Sequence, residues 1–259
     1  MSVIIAIANH KGGVAKTTTA VNLAAGMAKK GFKVLLVDLD AQANATYGLG
    51  VDLDSEDTKT IAQVFGVEKL GIEEVIVDTS EPNLKLVPSD ITLVGAEKIL
   101  DSRPFRESVL KKALAPLTRF DYIVLDCPPG LHTITRNALV CADRILVPTE
   151  IGGHALKGLG DLFDVMTEMK NGDTYDWRVL LTKISGRGKD RQALGSKFLS
   201  PIQDRILSTR IRFNENIEES QMEGEDEEPP KPVVLSKEWN VGARDYRALV
   251  KEVTELWPA

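Results

Sequence analysis

The segment Asn9–Thr19 reads NHKGGVAKTTT and is the most informative stretch of the chain. It follows an apolar run, Val3–Ala8, and precedes a helical pattern that begins near Lys16. A glycine-bearing turn between a strand and a helix points backbone N–H groups at one spot, and the helix N-terminus adds positive potential there. The segment therefore predicts a loop that binds phosphate.

Two lysines distinguish this loop. Lys16 is placed to reach the β and γ phosphates of a nucleotide, and the Thr17 hydroxyl is placed to hold Mg²⁺. The strict pattern GxxxxGK[ST] fails, because His10 and Ala15 stand where it requires glycine. What remains is K-G-G-x-x-K-T, in which Lys11 lies on the lip of the loop and is free to point across an interface. The predicted nucleotide-binding residues are Lys11, Gly12, Gly13, Val14, Ala15, Lys16, Thr17 and Thr18.

Apolar runs recur along the chain and are separated by helical patterns. They do not alternate with polar residues, as expected for strands buried on both faces of a parallel sheet. The predicted strands are Val3–Ala8, Val34–Leu39, Leu84–Val87, Tyr122–Leu125, Arg144–Val147, Val179–Thr182 and Thr209–Phe213. The helix from Lys16 is expected to end at Gly31, and the amphipathic helix Gly242–Leu256 is expected to close the chain. This order predicts an α/β fold, a mostly parallel β-sheet flanked by helices on both faces.

Carboxylates stand at the ends of two predicted strands. Asp38 and Asp40 end one of them, and Asp126 ends another. The carboxyl ends of parallel strands line the crevice in which ligands bind. An acid that ends a strand well downstream of a phosphate loop is typical of a Walker B carboxylate, which holds Mg²⁺ through water. We therefore expect the three acids to lie near the loop.

Composition places the chain among ordinary globular proteins. Its 259 residues include 32 basic and 38 acidic side chains, for a net charge of −6, so any contact with nucleic acid must come from a local patch. The two cysteines, Cys127 and Cys141, suit buried residues in a reducing compartment, with an iron–sulfur ligand as the alternative. Neither an 18-residue apolar run nor a signal peptide is found, which predicts a cytoplasmic protein without membrane contact.

The two-lysine loop resembles the signature of the ParA/MinD family of P-loop ATPases, whose phosphate loop is a deviant Walker A motif. The run DLDAQ at 38–42 is similar to the second motif of that family, D-x-D-x-Q. The run DCPPG at 126–130 resembles the ParA form of the Walker B segment. Weaker similarity extends over 144–160, 180–183 and 242–252, so that it covers nearly the whole chain. The resemblance implies the P-loop NTPase fold.

The resemblance also implies roles for individual residues. Lys11 would be the signature lysine, contacting the ATP of the partner subunit in a nucleotide-sandwich dimer, and Asp40 would orient the attacking water. The implied catalytic residues are Lys11, Lys16 and Asp40, and the implied Mg²⁺ residues are Thr17, Asp38 and Asp126. Ala15 departs from the usual glycine of the family. If the loop needs a positive φ there, the Cβ atom costs on the order of 1–2 kcal/mol.

The chain resembles the small ParA branch of the family more than the others. Its last helix carries Glu252 and Glu255, whereas a MinD-like protein would end in a basic membrane-binding helix. As in the small ParA proteins, no helix-turn-helix region is expected before the phosphate loop. Small ParA proteins bind nonspecific DNA as ATP dimers.

One basic stretch is the candidate surface for such DNA contacts. Between Arg178 and Arg212 lie nine basic residues and two acids. The predicted DNA-binding residues are Arg187, Arg191, Arg210 and Arg212. The alternative is a solvated helix face. Phe213 and Asn216 stand where the small ParA pattern carries arginines, which argues against the DNA interpretation.

The chain is expected to form a single P-loop ATPase domain, 1–259, with an acidic loop at 213–232. Between Phe213 and Glu228 there are eight acids and no Lys or Arg, followed by three prolines. Such a composition predicts a solvated surface loop.

The expected function is that of a ParA-type ATPase. It would bind ATP and Mg²⁺ as a homodimer, bind nonspecific DNA in the ATP state and associate with the nucleoid. A ParB-like partner would stimulate hydrolysis and so drive plasmid or chromosome segregation. The alternatives are a related ATPase that positions a non-DNA cargo through an adaptor, such as a protein microcompartment, a metabolic enzyme on the same fold, and a binding protein without hydrolysis.

Overall fold

One eight-stranded sheet organises the protein in the computed structural model, which describes residues 2–53, 58–151, 155–170, 175–185, 199–215, 217, 230–237 and 240–259. The strands are β1 (Val3–Ile7), β2 (Val34–Asp38), β3 (Val77–Asp78), β4 (Leu84–Val87), β5 (Tyr122–Asp126), β6 (Arg144–Glu150), β7 (Asp176–Ile184) and β8 (Ile206–Arg212). Their order across the sheet is β3-β4-β2-β5-β1-β6-β7-β8. Every neighbouring pair is parallel except β3–β4, which is antiparallel. The predicted mostly parallel sheet is therefore confirmed.

Helices cover both faces of the sheet. They are α1 (Lys16–Lys29), α2 (Asn44–Tyr47), α3 (Ile61–Phe65), α4 (Leu93–Asp101), α5 (Val109–Leu114), α6 (Thr133–Cys141), α7 (Ala155–Lys170) and α8 (Val241–Leu256). Short 3₁₀ helices lie at Ile72–Val75, Arg106–Ser108, Ser200–Arg205 and Val233–Leu235. Successive side chains of a strand point to opposite faces, so Leu35 and Val37 join the core under α3–α7, whereas Leu36 joins the core under α1 and α8.

The first helix packs closely against the last one. Gly26 of α1 faces α8, and a Cβ atom there would lie 2.5 Å from Val250 Cγ2, so only glycine permits the observed approach. At the end of α1, Gly31 has a φ of +98°, which glycine adopts at little cost. The predicted stop of this helix at Gly31 is confirmed, as is the predicted closing helix.

The structure corrects several strand limits. The two-residue strand β3 is absent from the prediction, because so short a segment carries no readable periodicity. Strand β8 begins at Ile206 and ends at Arg212, whereas the prediction placed it at Thr209–Phe213. Strand β7 extends three residues earlier and two later than predicted. Most of the predicted acidic loop at 213–232 lies outside the described residues.

Candidate nucleotide site

The phosphate loop connects β1 to α1 and contains two left-handed residues. Gly13 has a φ of +73°, and Ala15, which precedes the first residue of α1, has a φ of +65°. Glycine adopts this region freely, whereas the Cβ atom of an alanine costs on the order of 1–2 kcal/mol there. Ala15 therefore has the positive φ that was the condition for strain, and the loop carries that strain.

Hydrogen bonds from three parts of the chain hold the loop in place. Asn9 Oδ1 accepts from the Lys11 amide at 3.0 Å, and Asn9 Nδ2 donates to the Pro148 carbonyl of β6 at 2.8 Å. Thr182 of β7 donates its hydroxyl hydrogen to the Val14 carbonyl at 3.1 Å. The loop is thus tied to β6, which neighbours β1, and to β7, the next strand along the sheet.

The two lysines occupy different environments. Lys16 is buried, and its Nζ donates to the Lys11 carbonyl at 3.1 Å across the loop. Burial lowers the pKa of the Lys16 ammonium, and the negative charge of Asp126 acts in the opposite direction. Lys11 is exposed on the lip, with its Nζ 3.8 Å from Glu150 Oε2 at the end of β6. Lys16 therefore faces the interior of the site, and Lys11 faces outward.

The Asp38 carboxylate holds the turn that follows β2. Its Oδ1 accepts from the Asp40 amide at 3.0 Å, and its Oδ2 accepts from the amide and the hydroxyl of Thr46 at 2.9 and 2.8 Å. Burial raises the pKa of Asp38 to about 6 in spite of these hydrogen bonds. Asp38 thereby fixes the backbone of Asp40, which lies just beyond the strand, as predicted.

Asp126 is the carboxylate that suits a cation best. It ends β5, pairs in register with Asp38 of β2, and is fully buried. Neither of its carboxylate oxygens forms a hydrogen bond within the described residues. Burial, and then the charge of Asp38, raise the pKa of Asp126 well above its usual value, although the nearby Thr17 hydroxyl lowers it. A buried carboxylate without partners requires a compensating charge, and an oxygen-seeking cation such as Mg²⁺ supplies one.

A cavity of about 420 Å³ opens beside the phosphate loop. Loop residues and the segment after β2 form one end, including Lys16, Thr17 and Asp40. The other end is formed by the last residues of β7 and β8, by the segment after β8 and by α8; these are Lys183, Ile211, Arg212, Phe213, Asn214, Ile217 and Tyr246. The cavity therefore runs from the loop towards the carboxyl ends of β7 and β8, which lie two and three strands away from β1.

The predicted DNA-binding residues are only partly described. Arg187, Arg191 and also Asn216 lie outside the described residues. Arg210 is exposed on β8, whereas Arg212 forms a bidentate ion pair with Asp245 of α8. The charge of Arg212 is therefore matched within the chain, as are those of Arg178 and Arg205, which pair with Asp176 and Asp204.

Several supporting residues escaped the sequence prediction. Thr46, Thr182 and Glu150 each hold a predicted site residue from a distant position. Such contacts join separate elements, and no motif or periodicity signals them. The one local hint is at Thr182, a threonine at the carboxyl end of a predicted strand; Glu150 lies three residues beyond the predicted strand Arg144–Val147 and ends the observed β6.

Two other expectations concern the cysteines and the membrane. Cys127 and Cys141 are both buried and free, as predicted, and burial raises the pKa of both thiols. Among the helices that the structure describes, none has the length and apolar character needed to span a bilayer.

Known proteins are similar to this chain in sequence and in fold. A family profile described as an AAA domain matches residues 2–176. The chain is 37% identical over 261 residues to the sporulation initiation inhibitor protein Soj of Bacillus subtilis, with 98% of each chain covered. It is 35% identical over 254 residues to the chromosome partitioning protein ParA of Myxococcus xanthus, covering 96% of this chain and 87% of the relative.

A solved structure extends the comparison to the fold. Cobyrinic acid a,c-diamide synthase of Mycobacterium smegmatis, with bound ATP analog and magnesium, superposes with a TM-score of 0.82 at 28% identity. The match covers 100% of this chain and 97% of that one. The deviant two-lysine loop, the full-length relatives and this fold agree, and the chain belongs to the ParA family of P-loop ATPases.

Proposed function

We propose that this protein is a ParA-type ATPase that binds ATP with Mg²⁺ in the cavity beside the phosphate loop. One observation supports the proposal above all: the buried Asp126 carboxylate, whose oxygens form no hydrogen bond within the described residues, lies beside the buried Lys16 ammonium at the phosphate loop. A Mg²⁺–triphosphate group supplies the positive charge that Asp126 requires and the negative charge that Lys16 requires. The solved relative that carries an ATP analog and magnesium supports the same pair of cofactors.

The residues of the loop would bind the phosphates. The amides of Gly12 through Thr18 would donate hydrogen bonds, and Lys16 would neutralise charge that develops in phosphoryl transfer. Mg²⁺, when bound, would supply positive charge that stabilises the phosphates. Thr17 and Asp126 would hold it, while Asp38 keeps the Asp40 turn in position.

Asp40 is proposed to orient the attacking water. Its backbone is fixed by Asp38, and its side chain lines the cavity. A carboxylate at this point accepts a hydrogen bond from water and thereby aims it. Asp40→Ala should therefore bind ATP but hydrolyse it poorly.

Dimerisation is proposed to complete the site. The Lys11 ammonium is exposed and lies about 4 Å from one carboxylate, a contact that water screens strongly. In a dimer that sandwiches two nucleotides, Lys11 would exchange Glu150 for the phosphates bound to the partner subunit. ATP would then favour the dimer, and hydrolysis would release it.

The cellular role follows from the family. Relatives named for chromosome partitioning support a role in DNA segregation. We propose that the ATP dimer binds nonspecific DNA through Arg210 and the basic residues Arg187 and Arg191, in the cytoplasm and on the nucleoid. A ParB-like protein would stimulate hydrolysis, and the whole chain, 1–259, would act as one ATPase domain.

A metabolic enzyme is the second candidate, favoured by the structural match to a synthase. Lys11 argues against it, because a monomeric ligase has no use for a lysine that points out of its own site. An ATPase that positions a non-DNA cargo is a third possibility; it differs only in the adaptor, which co-purification from the native host would identify.

The test is nucleotide-dependent dimerisation, measured by light scattering with ATP, with ADP and without nucleotide. Wild type should dimerise only with ATP and Mg²⁺, and Asp40→Ala should accumulate as a stable dimer. Lys16→Ala should bind no ATP, and Lys11→Ala should bind ATP as a monomer. Lys98→Ala, a change of an exposed lysine on α4, is the matched control and should behave as wild type. A wild-type protein that binds ATP but stays monomeric would overturn the proposal.

A further inference from the structure

Strand β8 forms one edge of the sheet, and helix α8 covers it with carboxylates. Glu252 accepts from the amides of Ser208 and Thr209 at 2.7 and 2.8 Å, and Asp245 accepts from the amide of Arg212 at 3.1 Å. The β7–β8 ladder is irregular at this point, because four residues of β8 oppose two of β7. Such an irregular edge leaves amides unpaired, and the two acids satisfy them.

The spacing of the two acids matches the strand. Asp245 and Glu252 are seven residues apart, so they lie on the same face of α8, about 10 Å apart along the helix. From Thr209 to Arg212 the strand advances about 10 Å. Each acid therefore meets its own part of the edge.

Asp245 does more than cover a strand amide. Its Oδ2 also accepts from Arg212 Nε at 2.9 Å, and its Oδ1 accepts from Arg212 Nη2 at 2.5 Å. The Asp245 side chain is 9% exposed, whereas that of Arg212 is 39% exposed. A bidentate guanidinium–carboxylate pair that is half withdrawn from water fixes geometry more strongly than a surface ion pair does.

The fixed geometry lies at the wall of the nucleotide cavity. Arg212 lines the cavity together with the next residues, Phe213 and Asn214, and Tyr246 follows Asp245 on the other side. The ion pair therefore joins the two segments, the end of β8 and the start of α8, that form the end of the cavity opposite the phosphate loop.

We propose that Arg212 and Asp245 are positioning residues that set the affinity of the cavity for the nucleoside end of ATP. Arg212 then acts within the nucleotide site and does not contact DNA. This inference rests on the proposed binding of ATP. Glu252 serves as the internal comparison, because it covers the same strand through Ser208 and Thr209, which are not among the described residues that line the cavity.

The test compares Asp245→Asn, Arg212→Ala and Glu252→Gln by titration with ATP and Mg²⁺, with unfolding measured in parallel. Asp245→Asn and Arg212→Ala should each weaken ATP binding by about tenfold, the loss expected for one charge-assisted hydrogen-bond pair. The double variant should lose no more than either single change, since both remove the same pair. Glu252→Gln should lower stability but keep ATP affinity within about twofold of wild type.

Three results would overturn the inference. Asp245→Asn could bind ATP as wild type does, or Glu252→Gln could weaken binding equally, which would reduce the pair to a purely structural role. Arg212→Ala could keep ATP affinity and lose DNA retention at saturating ATP, which would assign Arg212 to DNA. Failure of the proposed function is distinguishable, because wild type itself would then bind no ATP.

Discussion

At the residue scale, Ala15 introduces backbone strain into the phosphate loop. Its φ of +65° lies in the region that glycine prefers, and it immediately precedes α1. The loop therefore stores strain at the point where phosphates are expected to bind. The sequence indicated the position, since the family pattern has glycine there, and the structure shows that the strain is present.

Ala15→Gly should stabilise the protein by about 0.5–1 kcal/mol, because relief of the left-handed strain exceeds the entropy that glycine adds to the unfolded chain. Urea unfolding measures the change. Ala248→Gly is the control: Ala248 is exposed within α8, so glycine there should destabilise by about 1 kcal/mol. Destabilisation by both changes would contradict the account.

Thr46 is the residue that the sequence did not reveal. Its hydroxyl donates to Asp38 and accepts from the Ser89 amide at 3.1 Å, and it is fully buried. Through Asp38 it supports the backbone of Asp40.

Thr46→Val should therefore cost about 1–3 kcal/mol, since it leaves a buried carboxylate and a buried amide without this partner. ATP turnover should fall with it, because the Asp40 turn loses support. Thr46→Ser keeps the hydroxyl and loses only a methyl group, so it should retain near-normal turnover. Equal ATP turnover in the two variants would show that the Thr46 hydroxyl does not support the Asp40 turn.

At the scale of elements, α6 depends on a neighbouring helix for its N-terminal cap. His132, its N-cap residue, forms no side-chain cap. Glu97 of α4 instead accepts from the Ile134 amide at 3.0 Å, and Asp101 accepts from the Thr133 hydroxyl. The first turn of α6 is thereby anchored on α4.

Glu97→Ala should cost about 0.5–2 kcal/mol, the usual effect of removing a helix cap. His132→Ser supplies a local cap, so the double variant should recover most of that loss in urea unfolding. Should the serine restore nothing, Glu97 would be acting through packing rather than through the cap.

Local patterns predicted the elements well and the contacts between them poorly. Buried parallel strands are continuous apolar runs, and these are legible in a single sequence. The bonds that hold the site, such as Glu97 to Ile134 or Arg212 to Asp245, join residues more than 30 positions apart. Each residue of such a pair is ordinary within its own segment of sequence, so only the folded structure reveals that the two are in contact.

At the scale of the whole molecule, the carboxyl ends of the parallel strands bring the predicted acids close to the phosphate loop, beside one cavity. The sequence placed Lys16, Asp40 and Asp126 together correctly, because parallel strands end at the same edge. The roles of Lys11 and of the basic residues depend on a second subunit and on DNA, and so belong to the proposed function. In the proposed function, ATP converts the monomer into a dimer that binds DNA.

The most direct test of this claim is retention of a nonspecific DNA duplex with ATP, with ADP and without nucleotide, at two salt concentrations. Wild type should be compared with Lys11→Ala, which leaves the protein's own phosphate loop intact. The account predicts salt-sensitive retention by wild type with ATP alone, and its loss in the variant. Retention that is independent of nucleotide, or equal in the two proteins, would contradict it.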